Sequence, residues 1–91
     1  MRDQQPPPSL QAVRAVLNEH DPEGLLDLGA PDDEYDFEAE DFVRLLAHGD
    51  AIEPAVVVDV WERWFGPASV YVSSATPAEI ARLAADLNAL R

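Results

Sequence analysis

Carboxylate side chains are the residues of this chain with the clearest capacity for chemistry. Eleven of the eighteen acidic residues fall between Glu19 and Asp41, and no Lys or Arg lies in that stretch. Such a concentration of oxygen atoms suits three roles: a divalent cation site, a surface for a basic protein, or the capping of helices and turns. The eleven are Glu19, Asp21, Glu23, Asp27, Asp32, Asp33, Glu34, Asp36, Glu38, Glu40 and Asp41.

The spacing of these carboxylates argues against a calcium loop. An EF-hand loop counted from Asp32 would place Phe37 where a glycine must make the sharp turn. It would also place Val43 where a bidentate glutamate should bind the ion. We therefore predict no metal ligands and no cofactor.

A surface for a basic protein is the functional alternative, and caps and turns are the structural one. A dense patch of one sign accelerates encounter with an oppositely charged partner and disfavours wrong partners. We predict a partner-binding segment with Tyr35 at its centre, and we expect that ring at a surface contact. The predicted residues are Asp32, Asp33, Glu34, Tyr35, Asp36, Glu38, Glu40 and Asp41.

The two histidines each stand at the end of a predicted helix. A protonated imidazole interacts favourably with the negative end of the helix dipole, so capping explains both His20 and His48. A general base at His20 beside Asp21 is the alternative, but no nucleophile motif accompanies it. We predict no catalytic residue.

Aromatic residues are concentrated near the third predicted helix, in Trp61, Trp64 and Phe65. Their helical spacing favours core packing, as for Phe42 on the preceding helix. Two tryptophans on one short helix also leave room for one ring to act as an interface anchor. The alternative to core packing is therefore self-association through Trp61, Trp64 and Phe65, which would give a homodimer.

Composition limits the remaining classes of function. The 91 residues carry a net charge of −12, contain no Cys, and are 47% hydrophobic. Cysteine chemistry is excluded, and the negative charge opposes binding to nucleic acid or anionic lipid. No apolar run resembles a signal peptide or a membrane span, so we expect a cytoplasmic protein.

The elements that must position these residues are helices. Residues 1–8 end in three prolines and predict a flexible tail, and residues 9–91 predict one helical domain. Apolar stripes at three- and four-residue steps predict helices over about 9–19 and 36–48, between Pro54 and Gly66, and from Thr76 onwards. The predicted fold is all-α: a compact four-helix single domain with a long acidic loop between helices 1 and 2.

Local signals refine these elements. Asp36 is predicted to be the N-cap of the second helix, and Arg14 to face solvent. Periodicity favours a helix over a strand for the run of valines at 56–58. Residues 70–72 are predicted to be an extended linker, and Thr76 with Glu79 to form a capping box.

Side-chain pairs four residues apart complete the pattern. Asp59 with Arg63 and Arg82 with Asp86 are predicted to be ion pairs on the surfaces of the last two helices.

Two consecutive segments, His20-Asp21-Pro22-Glu23-Gly24-Leu25-Leu26 and Gly29-Ala30-Pro31-Asp32-Asp33-Glu34-Tyr35-Asp36, resemble the YugE-like family of small bacterial proteins, DUF1871. The resemblance extends from about residue 13 to Gly66. It implies a small, mainly helical single domain, and it brings no biochemical activity.

The sequence thus supports two hypotheses of function. The first is a non-enzymatic acidic protein-interaction module that meets a basic protein surface. An immunity-type inhibitor of a basic toxin is one version of it, since residues 42–46 distantly resemble colicin-type immunity proteins. The second is a self-associating structural protomer with no ligand chemistry.

Overall fold

The structure of the protein is a computed structural model that describes residues 8–67 and 69–90. All of the predicted tail except Pro8 lies outside these ranges. Five α-helices and no strand are found within them. The helices are α1 (Leu10–His20), α2 (Asp36–Ala47), α3 (Pro54–Phe65), α4 (Val70–Ser74) and α5 (Pro77–Asn88).

The four longer helices close into a ring. α1 packs against α2 and α5, and α3 packs against α2 and α5 on the other side. Each helix contributes one apolar stripe, and the stripes meet in one continuous core. The predicted compact, all-helical globule is therefore confirmed.

Trp61 lies at the centre of this core and is fully buried. Its indole ring packs between the rings of Phe65 and Tyr71, with ring centroids 5.7 and 5.3 Å away. Phe42 and Tyr35 approach it from the α2 side, at 6.4 and 5.8 Å. Large aromatic side chains bury more area per residue than other types, so this cluster makes a large apolar contribution to stability.

The longer helices begin and end close to where the sequence predicts. Ser9 caps α1 by accepting a hydrogen bond from the N–H of Ala12. The valine run is helical, with Pro54 in the first turn of α3. Thr76 and Glu79 form the predicted capping box at the start of α5, with both reciprocal hydrogen bonds present.

The linker prediction for residues 70–72 is wrong, because this segment is the short helix α4. The hydroxyl of Ser69 accepts a hydrogen bond from the N–H of Val72. The two preceding N–H groups of the first turn, those of Val70 and Tyr71, donate to the carboxylate of Glu23. A helix of five residues is unstable alone, and this one is stabilised by an acceptor far away in the sequence.

Asp36 does not cap α2, and Arg14 does not point freely into solvent. Tyr35 occupies the cap position without a side-chain hydrogen bond. The Asp36 carboxylate instead accepts two hydrogen bonds from the Arg14 guanidinium, at 2.9 and 2.7 Å. This bidentate pair joins α1 to the start of α2 and raises the pKa of Arg14.

A second polar link joins α5 to the connection before α3. The side-chain amide of Asn88 donates to the carbonyl of Ile52 and accepts from its N–H, both at 2.8 Å. Ile52 is itself buried in the core. The Asn88 amide therefore provides hydrogen bonds for backbone groups of a buried, non-helical segment that cannot form them within a helix.

Candidate functional site

The acidic residues between Glu19 and Asp41 divide into two environments. Some have carboxylates that point into water, and others have carboxylates that are half-buried or buried. The exposed ones are Glu19, Asp27, Asp32, Asp33, Glu34 and Glu40. The enclosed ones are Asp21, Glu23, Asp36, Glu38 and Asp41.

Asp21 organises the turn that follows α1. Its backbone is left-handed, with φ of 45°, and its carboxylate accepts hydrogen bonds from the N–H groups of Leu26 and Asp27 and from the Tyr35 hydroxyl. Burial opposes ionisation of this group, but these hydrogen bonds outweigh it and lower the pKa of Asp21. Asp21 is therefore a structural acceptor.

Tyr35 is fully buried, so the prediction that it lies at a surface contact is wrong. Its ring packs against Trp61 and Phe65. Its hydroxyl donates to Asp21 at 2.7 Å and accepts from the N–H of Glu23 at 3.0 Å. Burial and the bond to Asp21 both raise the pKa of the Tyr35 hydroxyl. The ring and its hydroxyl hold the acidic connection against the core.

Glu23 was not singled out from the sequence, yet it has more side-chain partners than any other acidic residue in the described part of the chain. One carboxylate oxygen accepts from the Trp61 indole N–H at 2.8 Å, and also from the Ser69 hydroxyl and the Tyr71 N–H. The other accepts from the N–H of Val70. The only available signal was general: a buried indole N–H requires an acceptor.

Glu38 and Asp41 lie on α2 and are both buried, and Asp41 faces α3. Asp41 accepts a hydrogen bond from the Trp64 indole N–H at 2.8 Å and pairs with Arg44. Neither carboxylate is available for partner binding as predicted. Asp41 accepts from α3 through the Trp64 indole N–H, whereas one oxygen of Glu38 has no donor among the described residues.

One oxygen of Glu38 is buried and has no hydrogen-bond partner among the described residues. Burial, with the negative charges of Asp41, Glu23 and Glu34 nearby, raises the pKa of Glu38 to about 7. The charged form is disfavoured because it would add a further negative charge to an enclosed acidic cluster. Glu38 therefore gains or loses a proton close to neutral pH.

Phe37 and Trp64 form a stacked aromatic pair on the surface between α2 and α3. Their ring centroids are 5.1 Å apart and their planes differ by 20°. Phe37 is 62% exposed and Trp64 is 43% exposed, although core packing was favoured for the aromatic residues. The Arg63 guanidinium lies 5.9 Å from the centre of the Trp64 ring.

The predicted self-association face is not present as a unit. Trp61 is fully buried at the centre of the core, and Phe65 is half-buried and stacked on it. Of the three residues, Trp64 alone is an exposed side chain. The reason is that α3 is enclosed by α2, α4 and α5, which leaves only its outer edge exposed.

A separate groove of about 680 Å³ opens between the end of α1, α4 and α5. On its wall, the Nε2 atom of His20 lies 2.7 Å from a carboxylate oxygen of Asp86. The predicted partner of Asp86 was Arg82, which lines the groove without an ion pair to any described residue. Tyr71 also lines it, with its hydroxyl buried and without a partner in the described ranges.

Two further properties bear on the class of site. Within residues 8–67 and 69–90, no three His, Cys, Asp or Glu side chains come together in a metal-binding arrangement. In the same ranges, no helix is both long and apolar enough to span a bilayer.

Comparison of the chain with protein-family models, with curated proteins and with solved structures gives no match. The resemblance to the YugE-like family stays a prediction from the residues quoted above. Function must therefore be argued from the surface itself.

Proposed function

We propose that this protein is a non-enzymatic interaction module that binds a basic protein through an acidic surface with an aromatic centre. The observation that carries the proposal is the stacked pair of Phe37 and Trp64, exposed at the surface between α2 and α3 and followed by the exposed carboxylate of Glu40. We call this area the docking surface. It consists of Phe37, Trp64, Asp32, Asp33, Glu34 and Glu40.

The aromatic pair supports binding because it is large, apolar and already fixed in position. The Trp64 indole N–H donates to Asp41, and stacking on Phe37 restrains the ring from the other side. Side chains that are ordered before binding lose little conformational freedom on association. Aromatic residues of this kind commonly supply most of the binding energy of an interface.

The carboxylates determine the sign of the partner. Glu40 follows Phe37 by one turn of α2 and so lies near the exposed ring, whereas Asp32, Asp33 and Glu34 are exposed in the turn just before α2. None of these four carboxylates forms an ion pair with a residue of the described ranges. A partner that supplies Arg or Lys side chains around an apolar contact complements this surface.

A second copy of the chain is a poorer occupant of the docking surface. Each copy carries a net charge of −12, so a symmetric dimer would bring two sets of carboxylates together. We therefore favour a heterologous basic partner in the cytoplasm. Neutralisation of a basic toxin, as by an immunity-type inhibitor, is one specific form of this function.

Affinity capture from an extract of the source organism, at low and high salt, tests the proposal. The wild-type chain is compared with Phe37→Ala, which removes half of the aromatic pair. We expect capture of a basic protein that weakens at high salt, because exposed charges are screened. Phe37→Ala should lower the affinity for that protein by about 2 kcal/mol, or roughly thirty-fold.

Val70→Ala is the matched control, since Val70 is 58% exposed but lies on α4, outside the docking surface. It should bind the captured protein like the wild type. A partner that binds Phe37→Ala as tightly as the wild type would contradict the proposal. A homodimer that is insensitive to salt and is disrupted by Phe37→Ala would also contradict the proposal, and it would favour self-association.

A further inference from the structure

Glu38 combines deep burial with incomplete hydrogen bonding. It is 3% exposed, and one of its carboxylate oxygens has no hydrogen-bond partner among the described residues. Removal of a carboxylate from water without a full set of donors disfavours its charged form. The described arrangement therefore fits a protonated Glu38, and ionisation places a charge where the fold provides no donor for it.

The acidic groups around Glu38 increase the cost of that charge. Asp41 lies one turn further along α2, Glu34 lies one turn before Glu38, and Glu23 acts from the connection after α1. All three are negative, and together with burial they raise the pKa of Glu38 to about 7. Glu38 therefore changes its charge within the range of pH in which the protein can be studied folded.

No described salt bridge includes Glu38, so its charge has no countercharge. The guanidinium groups of α1, α2 and α3 are already held by other carboxylates: Arg14 by Asp36, and both Arg44 and Arg63 by Asp41. Ionisation of Glu38 is therefore felt by its acidic neighbours as repulsion, and Asp41 is the one on the same helix.

Asp41 connects Glu38 to the docking surface. The two residues are three positions apart on α2, so their side chains are neighbours on the helix. The Asp41 carboxylate accepts the indole N–H of Trp64 at 2.8 Å, and the Trp64 ring stacks on Phe37 with ring centroids 5.1 Å apart. Displacement of Asp41 would remove one of the two contacts that fix the Trp64 ring.

We propose that ionisation of Glu38 switches the docking surface from an ordered to a loosened state. Two negative charges on neighbouring positions of α2 repel each other, and this repulsion moves the Asp41 carboxylate away from the Trp64 indole N–H. Trp64 then loses its hydrogen bond and its fixed stacking on Phe37. The surface is ordered below neutral pH and loosened above it. This inference rests on the proposed function, because the surface that it regulates is the one defined there.

Nuclear magnetic resonance spectra of the full chain, recorded from about pH 5 to about pH 8.5, test the switch across the titration of Glu38. The indole N–H signal of Trp64 should shift with a midpoint near pH 7. The nuclear Overhauser effect between the rings of Phe37 and Trp64 should fall by more than about half, as the loosened state becomes the major one. The indole signal of Trp61, which donates to Glu23, is the internal reference and should move much less.

Glu38→Gln keeps the size of the side chain but cannot ionise, so the Trp64 signal should stay at its low-pH position throughout. Glu38→Leu also cannot ionise and removes the unpartnered oxygen, which provides a second variant with the same expected result. Glu40→Gln is the matched control, since it removes an exposed carboxylate from the same helix. It should titrate like the wild type.

The switch is overturned if the signals of Phe37 and Trp64 do not change near neutral pH in the wild type. It is also overturned if the change persists in both Glu38→Gln and Glu38→Leu, or if the two rings separate as pH falls. These measurements use the free chain, so their outcome does not depend on the capture of a basic protein. Failure to capture such a partner would count against the proposed function and not against the switch.

Discussion

The enclosed and exposed carboxylates of one short stretch of chain differ in burial, and most of the enclosed ones have hydrogen-bond donors within reach whereas the exposed ones have none among the described residues. Asp21 and Glu23 accept from backbone N–H groups, a tyrosine hydroxyl and an indole N–H. Asp32, Asp33 and Glu34 belong to the same connection and remain in water. Residue type is the same in the two groups, so the donors that the fold supplies allow Asp21 and Glu23 to be enclosed, while Glu38 is buried with one oxygen that has no donor among the described residues.

Removal from water is costly for a carboxylate unless hydrogen bonds replace its hydration. Glu23 satisfies this condition through both oxygens, whereas Glu38 leaves one oxygen without a described partner. The raised pKa of Glu38 is the consequence. The enclosed group therefore contains both a well-satisfied carboxylate and a poorly satisfied one.

The largest effect is expected from Glu23→Ala, which tests whether donors really hold the enclosed group in place. The change leaves the indole N–H of Trp61, the hydroxyl of Ser69 and two N–H groups of α4 without their acceptor. We expect the free energy of unfolding, measured by urea denaturation, to fall by about 3 to 5 kcal/mol. Glu34→Ala is the matched exposed control and should change it by less than about 0.5 kcal/mol. Similar losses of unfolding free energy in Glu23→Ala and Glu34→Ala would show that enclosed and exposed carboxylates do not differ in their contribution to stability.

Glu38→Gln tests the poorly satisfied carboxylate through pH. Its pKa is raised from 4.5 to about 7, so between these values the folded chain holds a proton that the unfolded chain has released. The free energy of unfolding should fall as pH rises through that window, and the loss should be complete above about pH 7. Glutamine cannot ionise, so this variant should exceed the wild type by up to about 3 kcal/mol at alkaline pH and by little near pH 4.5. Parallel pH profiles from urea denaturation would contradict this account.

The two buried tyrosines differ in their hydroxyl groups, because that of Tyr35 has hydrogen-bond partners and that of Tyr71 has none among the described residues. Tyr35→Phe removes the donor to Asp21 and the acceptor for the Glu23 N–H, so we expect a loss of about 1 to 3 kcal/mol in the free energy of unfolding. Tyr71→Phe removes a hydroxyl without a described partner and should be neutral or slightly stabilising. Urea denaturation of both variants measures the difference. If Tyr71→Phe lost more stability than Tyr35→Phe, the described hydrogen bonds would not explain the stability of the two sites.

The smallest effect on stability is expected from neutralising the exposed loop by Asp32→Asn, Asp33→Asn and Glu34→Gln together. No carboxylate of these three residues makes a hydrogen bond or ion pair with a described residue, so the free energy of unfolding should change by less than about 0.5 kcal/mol. Affinity for a captured basic partner should nevertheless fall, and its dependence on salt should become weaker. Binding measured across a salt series checks this. An unchanged salt dependence would place the partner elsewhere on the molecule.

The four longer helices and the capping box of α5 were predictable because their signals are local. Proline at the start of α3, the capping box at Thr76 and the apolar stripes act within a few residues, and each feature is found where expected. α4 was not predictable in this way. It depends on Glu23, which lies 47 residues before Val70 in the chain and has no sequence signal that names its partners.

The docking surface was only partly predictable for the same reason. Carboxylates at 32–34 were expected in water and are found there. Tyr35, Glu38 and Asp41 were assigned to the same surface, because sequence alone does not show which face of α2 meets α3. The exposure of Phe37 beside Trp64 follows from that helix pairing, which required the structure.

The two tryptophans of α3 experience different surroundings, and this gives the protein two intrinsic optical reporters. Trp61 is fully buried and donates to the half-buried carboxylate of Glu23, so its emission should follow unfolding. Trp64 is partly in water beside Phe37, so its emission should respond to whatever covers that face. Spectroscopy on the unlabelled chain can therefore separate loss of structure from occupation of its surface.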